Sequence, residues 1–312
     1  MWLGLALVGG LALVGAACGQ GGGGAQGSQG DLSGTFQIDG SSTVQPFAQA
    51  AAELFQEENP GVRITVGGAG TGDGFERFCR GETEISDASR PIEPDEKKAC
   101  DEQGVKTGEV QVANDGIAVV TDKGTAIDCM TTDQLREIFG PDADARTFRD
   151  VDPRFPATPM KLFTPGEESG TFDFFTEEVN GEEGAQRTEG VQTSADDNQL
   201  VTGVSGTRGG IGYFGYEYFT QNEGKLNATA VDGGSGCVRP SPKTIQDGSY
   251  RPLSRPIFMY PSEKSLARPE VREFMRFTVA NAPRIAEAAK IVPMTSEQVS
   301  DSRRSLERLS GR

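Results

Sequence analysis

Histidine is absent from this 312-residue chain, and that one absence removes several chemistries. Without an imidazole there is no Ser-His-Asp or Cys-His nucleophile system, no histidine metal site and no ordinary proton shuttle at neutral pH. Basic residues are scarce as well. Thirty Lys and Arg stand against 46 Asp and Glu, a formal net charge of -16. No global field therefore attracts nucleic acid or anionic lipid, and an anionic ligand has to be held by local donors. No two cysteines stand at CxxC spacing, so the usual zinc pattern is missing. Apolar residues reach only 35%, which suits a globular chain once its Gly-rich front is set aside. An enzyme is the less favoured class, and no metal or organic cofactor is expected.

What is present begins with an uncharged apolar run, MWLGLALVGGLALVGAA at 1–17, followed by Cys18 and GQGGGGAQGSQG. The run is shorter than the about 20 residues a membrane span needs. It reads as an export signal, and the glycine-rich stretch as a flexible tether. Gly15, Ala16 and Ala17 before Cys18 resemble the cleavage site of bacterial lipoproteins, in which the cysteine becomes the lipidated first residue. The expectation is a signal peptide at 1–17, a lipidated tether at 18–30, and contact with the membrane only through the lipid. Setting Cys18 aside leaves Cys79, Cys100, Cys129 and Cys237, enough for two disulfides in an exported chain. Of the possible connectivities, Cys79 with Cys100 and Cys129 with Cys237 is preferred, because each bridge then stays inside one expected domain.

The length suits two domains of about 150 residues each. From Thr35 onward short apolar strands alternate with amphipathic helices: TFQID, then TVQPFAQAAAELFQEEN with Pro46 in its first turn, VRITVGG, GFERFCRG, EISDAS and EPDEKKACDEQG. This rhythm predicts crossover connections and a parallel sheet. VQVAND and GIAVVTD read as two further strands. The stretch 122–254 carries TTDQLREIFG, MKLFTP, GTFDFFTEEV, DNQLVTGVSG and GIGYFGYEYF, broken by Pro and Gly. RPIFMYPS reads as one more strand, and PEVREFMRFTVANAP and SEQVSDSRRSLERL as closing helices.

Three segments share one design, in which a strand ends, small hydroxyl and glycine residues follow, and a helix begins: DGSSTVQPF at 39–47, GGAGTGDGF at 67–75 and PGEESGTFDFF at 165–175. Such junctions leave backbone N–H groups without internal partners beside the positive end of a helix dipole. Each alone is an ordinary helix cap. Three in one chain, with DASRP at 87–91 closing another strand, point to an oxyanion held at the carboxyl edge of an α/β sheet. GGAGTGDG lacks the GK[ST] ending of a phosphate-binding P-loop, and Ser169 lies outside any GxSxG elbow. Recognition without turnover fits these residues.

The motifs IDGSSTVQPF, ISDASRPI, VANDGIAVV, ESGTFDFF, GGIGYFGY and IVPM stand in an order that resembles the phosphate-binding proteins, often called PstS, that serve ABC-type phosphate importers. The resemblance implies a type II periplasmic-binding fold, in which two α/β domains joined by a two-segment hinge close on the anion. It places domain one at 31–121 and 256–312, with 122–255 inserted as domain two. By motif it implies that Ser42, Thr43, Thr71, Ser89, Ser169, Gly170 and Thr171 donate to phosphate. Two positions depart from the family pattern, since Ser89 stands where an aspartate is usual and Pro165 where an arginine is usual. Arg90 is then the expected source of positive charge and Arg208 the second candidate, with Asp87 and Asp197 as candidate acceptors of a ligand proton. The expected function is an extracytoplasmic lipoprotein that captures inorganic phosphate and passes it to permease subunits, as a monomer and without nucleic acid. A receptor for sulfate or molybdate is the nearest alternative; a secreted phosphatase or an adhesion protein stands further off.

Overall fold

A computed structural model of the protein describes residues 32–167 and 169–311. The expected signal peptide, the tether and Cys18 lie outside them. Alternating apolar and amphipathic stretches become β1 (Ser33–Gly40), α1 (Gln45–Glu58), β2 (Gly61–Val66), α2 (Thr71–Cys79), β3 (Ile85–Ala88) and α3 (Pro94–Glu102). Next come β4 (Val110–Asp122), β5 (Cys129–Thr131), α4 (Thr132–Phe139), α5 (Phe148–Val151), β6 (Lys161–Thr164) and α6 (Gly170–Phe175), which runs into a π-helical turn at Thr176–Asn180. They are followed by β7 (Val191–Thr193), α7 (Asp197–Gly206), β8 (Gly210–Gly215), α8 (Tyr216–Thr220), β9 (Leu226–Ala228), β10 (Ala230–Asp232), β11 (Cys237–Val238) and α9 (Pro242–Gln246). The chain closes with β12 (Ser254–Pro261), α10 (Glu263–Leu266), α11 (Pro269–Ala288) and α12 (Ser296–Leu309).

A nine-stranded sheet runs in the order β2-β1-β3-β12-β4-β8-β6-β7, with β9 also set against β4; β11, β10 and β5 form a separate small sheet. The expected parallel pairing holds where covering helices connect the strands, as in β1 with β2 and β3, and β6 with β7 and β8. It fails around β4 and β12, which run antiparallel to each other and to their outer neighbours β8 and β3. β12 arrives from the far end of the chain and inserts between β3 and β4, so the helical rhythm of the first hundred residues does not govern its direction.

VQVAND and GIAVVTD are one strand rather than two. β4 is 13 residues long, and its partner changes along its length, from β12 over Val110–Gly116 to β8 over Ile117–Thr121. Gly116 marks the change without breaking the strand, because Ile245 packs directly over it: a Cβ there would lie 2.5 Å from Ile245 Cδ1. α11 also runs on through Pro283 to Ala288, held by Ala282, Ile285 and Ala286, all buried on one side.

The change of partner is mirrored in the cores. Phe36, Ile38, Phe47, Phe55, Val112, Ala113, Ile257 and Phe274 belong to one buried cluster, whereas Ile117, Val119, Phe139, Phe175, Tyr213 and Leu253 belong to another. Along β4 the membership switches between Ala113 and Ile117, and on the return it switches between Leu253 and Ile257. Each such side chain contributes about 1.5–3 kcal/mol on burial. In the second cluster Phe175 stacks on Tyr213 with ring centroids 3.7 Å apart, which fixes the end of α6 from below. Among the described residues no helix is long and apolar enough to cross a membrane.

Both expected disulfides are present. Cys79–Cys100 ties the end of α2 to α3, and Cys129–Cys237 clasps β5 to β11. Cys79 and Cys100 are 4% and 0% exposed, whereas Cys237 is exposed. Exchange needs access to a sulfur, so graded reduction of the native protein is expected to open Cys129–Cys237 first, as followed by alkylation and peptide mass mapping. That bridge closes a separation of 108 residues against 21 for the other. In the chain-entropy account its loss costs about 5 kcal/mol against about 3, which chemical denaturation of the two double-serine variants would measure.

Candidate functional site

The site begins where β1 stops. Gly40 sits at φ 149°, where a side chain would strike the Asp87 backbone. Past it, the Ser41 amide donates to the Asp87 carbonyl at 2.9 Å. The amides of Val44 and Gln45 return to the Ser41 carbonyl at 3.1 and 3.0 Å, winding Ser41, Ser42 and Thr43 into a turn at the head of α1. Among the described residues the amides of Ser42 and Thr43 donate to no protein acceptor.

The second loop is tied to the first. Gly70, at φ 103°, donates its amide to the Gly40 carbonyl at 2.9 Å. Gly74 lies so close to Gly40 that an added Cβ would meet the latter's Cα, and this closeness brings the start of α2 against β1. Thr71 and Ser89 then share a hydrogen bond between their hydroxyls at 3.1 Å, and the Ser89 amide donates to Thr71 Oγ1 at 3.3 Å.

The third loop meets the first across the gap. Thr43 Oγ1 donates to the Gly170 carbonyl at 2.9 Å, and Ser42 Oγ donates to Asp173 Oδ2 at 3.0 Å. A Cβ on Gly170 would run into the Thr43 amide nitrogen and lie 2.6 Å from the Ser42 carbonyl carbon, so only glycine permits this approach. Between the loops is a cleft of about 330 Å³ lined by Ser41–Thr43, Gly70–Gly72, Ser89, Arg90, Asp173, Phe174 and Arg255, with Glu93, Glu177 and Glu183 also on its wall.

Two guanidinium groups reach this cleft, and their states differ. Arg90 makes two bonds to Glu96, each 2.9 Å, and its Nε lies 3.5 Å from Glu93. Bonding to Glu96 raises its pKa. Arg255 has a side chain only 14% exposed, donates one hydrogen bond from Nη2 to Thr43 Oγ1 at 2.9 Å, and lies 3.5 Å above the Phe174 ring. Its Nε is 3.6 Å from Asp115 Oδ2, and neither atom has a hydrogen-bond partner among the described residues. Burial pulls the guanidinium down and pushes the Asp115 carboxyl up, each opposed by the attraction of the other. A guanidinium keeps its proton in proteins, so Arg255 is a buried cation.

Of the residues expected from sequence, Ser42, Thr43, Thr71, Ser89 and Arg90 line the cleft. Gly170 touches its first loop through Thr43. Ser169 and Thr171 do not line it; Ser169 caps α6 by accepting the Thr171 amide at 3.3 Å. Arg208 is exposed beyond the end of α7, and Asp197, pushed up to about 6 mainly by burial, opens that helix away from the cleft lining. Asp87 is fully buried under the first loop with both carboxylate oxygens unpartnered. Sequence reasoning missed Arg255 and Asp173. The available signal was an arginine at the head of the apolar strand RPIFMYPS and an aspartate inside the first turn of ESGTFDFF.

A family model described as a PBP superfamily domain matches residues 25–282. Protein SphX of Synechococcus elongatus is 44% identical over 262 residues, covering 83% of this chain and 77% of that protein. The phosphate-binding protein PstS of Staphylococcus saprophyticus is 39% identical over 288 residues, covering 91% and 88%. Among solved structures, a possible phosphate binding protein from Planctomyces limnophilus superposes with a TM-score of 0.84 at 38% identity, covering 89% of this chain and 99% of that one.

Burial, with the nearby Asp39 charge, pushes the Asp87 carboxyl well above the usual carboxylate range. The folded state therefore keeps this proton longer than the unfolded chain does. Its contribution is complete below about pH 4 and is lost as pH rises through the folded value. Asp87→Asn cannot ionise, so its melting temperature relative to the parent is expected to climb from about pH 4 upward. Parallel pH profiles in thermal melts would refute this.

Proposed function

The chain belongs to the phosphate-binding proteins of the PBP superfamily, and from that membership we propose that it is an extracytoplasmic receptor that captures inorganic phosphate and delivers it to the permease subunits of an ABC importer. The observation that carries the reading is the convergence of Ser42, Thr43, Thr71 and Ser89 on one cleft that also receives two guanidinium groups. A tetrahedral oxyanion needs donors from several directions at once. Hydroxyls and unpaired amides on three separate strand ends meet that need without relying on net charge, which here is -16.

In this reading residues 31–121 and 256–312 form one lobe and 122–255 the other. The two buried clusters that exchange membership along β4 and β12 support two lobes, with the change falling near Gly116, so that Ile117–Val120 pack with the second lobe. The lobes close where Gly170 and Asp173 meet the first loop, and the turn at 169–171 completes the ligand's surroundings. Cys18, outside the described residues, is proposed as the lipid-bearing anchor on the strength of its sequence context alone. Two of the named relatives, from Staphylococcus saprophyticus and Planctomyces limnophilus, are described as phosphate-binding proteins, and the chain is read as a receptor that releases its ligand unchanged.

Calorimetry of the mature protein is expected to give phosphate binding at micromolar or tighter affinity and weaker binding of sulfate and molybdate; the reverse order would overturn the assignment. Thr71→Ala and Ser89→Ala should each weaken phosphate by about 1–3 kcal/mol, the worth of a hydrogen bond to a charged group. Ser169→Ala tests whether the third loop donates directly. A loss of similar size indicates a ligand contact, and an unchanged affinity with a small drop in melting temperature indicates a cap alone.

Gly170→Ala places a methyl group against the Thr43 amide. The expected result is a fold that melts normally but binds phosphate at least tenfold more weakly, because the two loops can no longer meet. Wild-type affinity in this variant would show that the contact is dispensable.

A further inference from the structure

The sequence points to Arg90 as the charge partner of the ligand, yet its fork is already occupied by Glu96, with Glu93 beside it. Arg255 is the opposite case. A guanidinium carries five N–H donors, and here a single hydrogen bond, to Thr43, is made among the described residues. Its Nε is buried without a partner, and the one carboxylate beside it stands 3.6 Å away. Leaving charged donors unmet inside a protein is costly. The face of the group is covered by Phe174, which leaves its edge directed along Thr43, a wall of the cleft.

Arg255 also has an unusual mounting. It is the cross-strand partner of Asp115 in the β4–β12 ladder. Both residues fall in the short intervals where the chain passes from one buried cluster to the other, between Ala113 and Ile117 and between Leu253 and Ile257. Its position is therefore set by the strands common to both halves rather than by either half's loops.

We propose that Arg255, rather than Arg90, is the cation that meets the bound oxyanion, with Asp115 as a partial counter-charge that the anion supplements. The proposal rests on the phosphate-receptor reading and adds to it the residue that supplies the charge. A loosely paired buried cation holds an anion more strongly than one saturated by carboxylates, because less of its charge is already compensated. Asp115 thus competes with the ligand, and removing its charge frees the nearest counter-charge position for the anion, leaving Asp173, Glu177, Glu178 and Glu183 as the other carboxylates acting on the guanidinium.

The test is calorimetric titration of inorganic phosphate into the parent, R255Q, R90Q and D115N at low and moderate salt. Parent protein that binds no phosphate overturns the receptor reading and this inference with it. With parent binding established, R255Q is expected to lose at least thirtyfold in affinity and most of its salt dependence, and R90Q to change less than threefold. R255Q within threefold of the parent, or R90Q losing as much as R255Q, overturns the proposal alone. Should R255Q fail to fold, by near-UV circular dichroism, D115N decides. Phosphate binding several-fold tighter than in the parent, with a larger ligand-induced rise in melting temperature, supports Arg255 as the partner; unchanged or weaker binding refutes it.

Discussion

The antiparallel ladder between β4 and β12 runs from Val110 opposite Met259 to Gly116 opposite Ser254, and both large cores hang on it. Both strands are largely buried, as strands in the middle of a sheet are, with β4 buried at nearly every position. At the end where the ladder gives way to other partners it carries its only opposed pair of charges, Asp115 and Arg255. Two charges would not be tolerated there without a reason. Seven of the 13 residues of β4 are Val, Ala or Ile, and a well-packed apolar pair is commonly as stable as a buried ion pair or more so.

The charge economy of the cleft follows from the same placement. The protein is acidic, and Glu93, Asp173, Glu177 and Glu183 face the opening. An anion approaching from water therefore meets repulsion first and donors afterwards. Asp173 is drawn partly out of this repulsion, since burial raises its pKa against the hydrogen bond from Ser42. Recognition is then short-ranged, resting on amides and hydroxyls held where Gly40 and Gly74 let pieces of backbone come together and where the positive φ of Gly70 turns the second loop. Such a site favours a small ligand that can be enclosed over an extended anion that would leave charge outside among the carboxylates.

Much of this was legible in the chain. The loops at 41–43, 70–72 and 89–90 lie together as their strand-end chemistry implied, and both disulfides are the ones that keep each bridge inside one expected domain. What escaped reading has physical causes. VQVAND and GIAVVTD read as two strands because nothing local shows that one strand changes partners at Gly116, a glycine that makes room for Ile245, a residue far away in sequence. The antiparallel placement of β12 is a long-range pairing that no local period encodes. Arg255 escaped because an arginine at a strand head is ordinarily solvated, and only its register opposite Asp115 and its cover by Phe174 distinguish it. Arg90 lines the cleft, but its surroundings are the complementary case. Glu93 and Glu96, placed as the cap and first turn of α3, claim its charge through a local arrangement visible in RPIEPDE once the helix start is known.

The exchange of partners within β4 has a mechanical meaning. Two hydrogen-bonded antiparallel strands resist sliding, because a shift along the strand axis breaks the ladder bonds together and turns each side chain to the wrong face. They bend out of the sheet plane far more readily, since bending strains each bond only slightly. A pair of cores joined by such a ribbon has one soft direction and several stiff ones. The carboxylate and guanidinium stand at the end of the ladder where the two cores exchange, and from there Arg255 reaches Thr43 of the first loop at 2.9 Å. A bend in the ribbon would therefore be felt first by its charged pair and by the loop that pair touches.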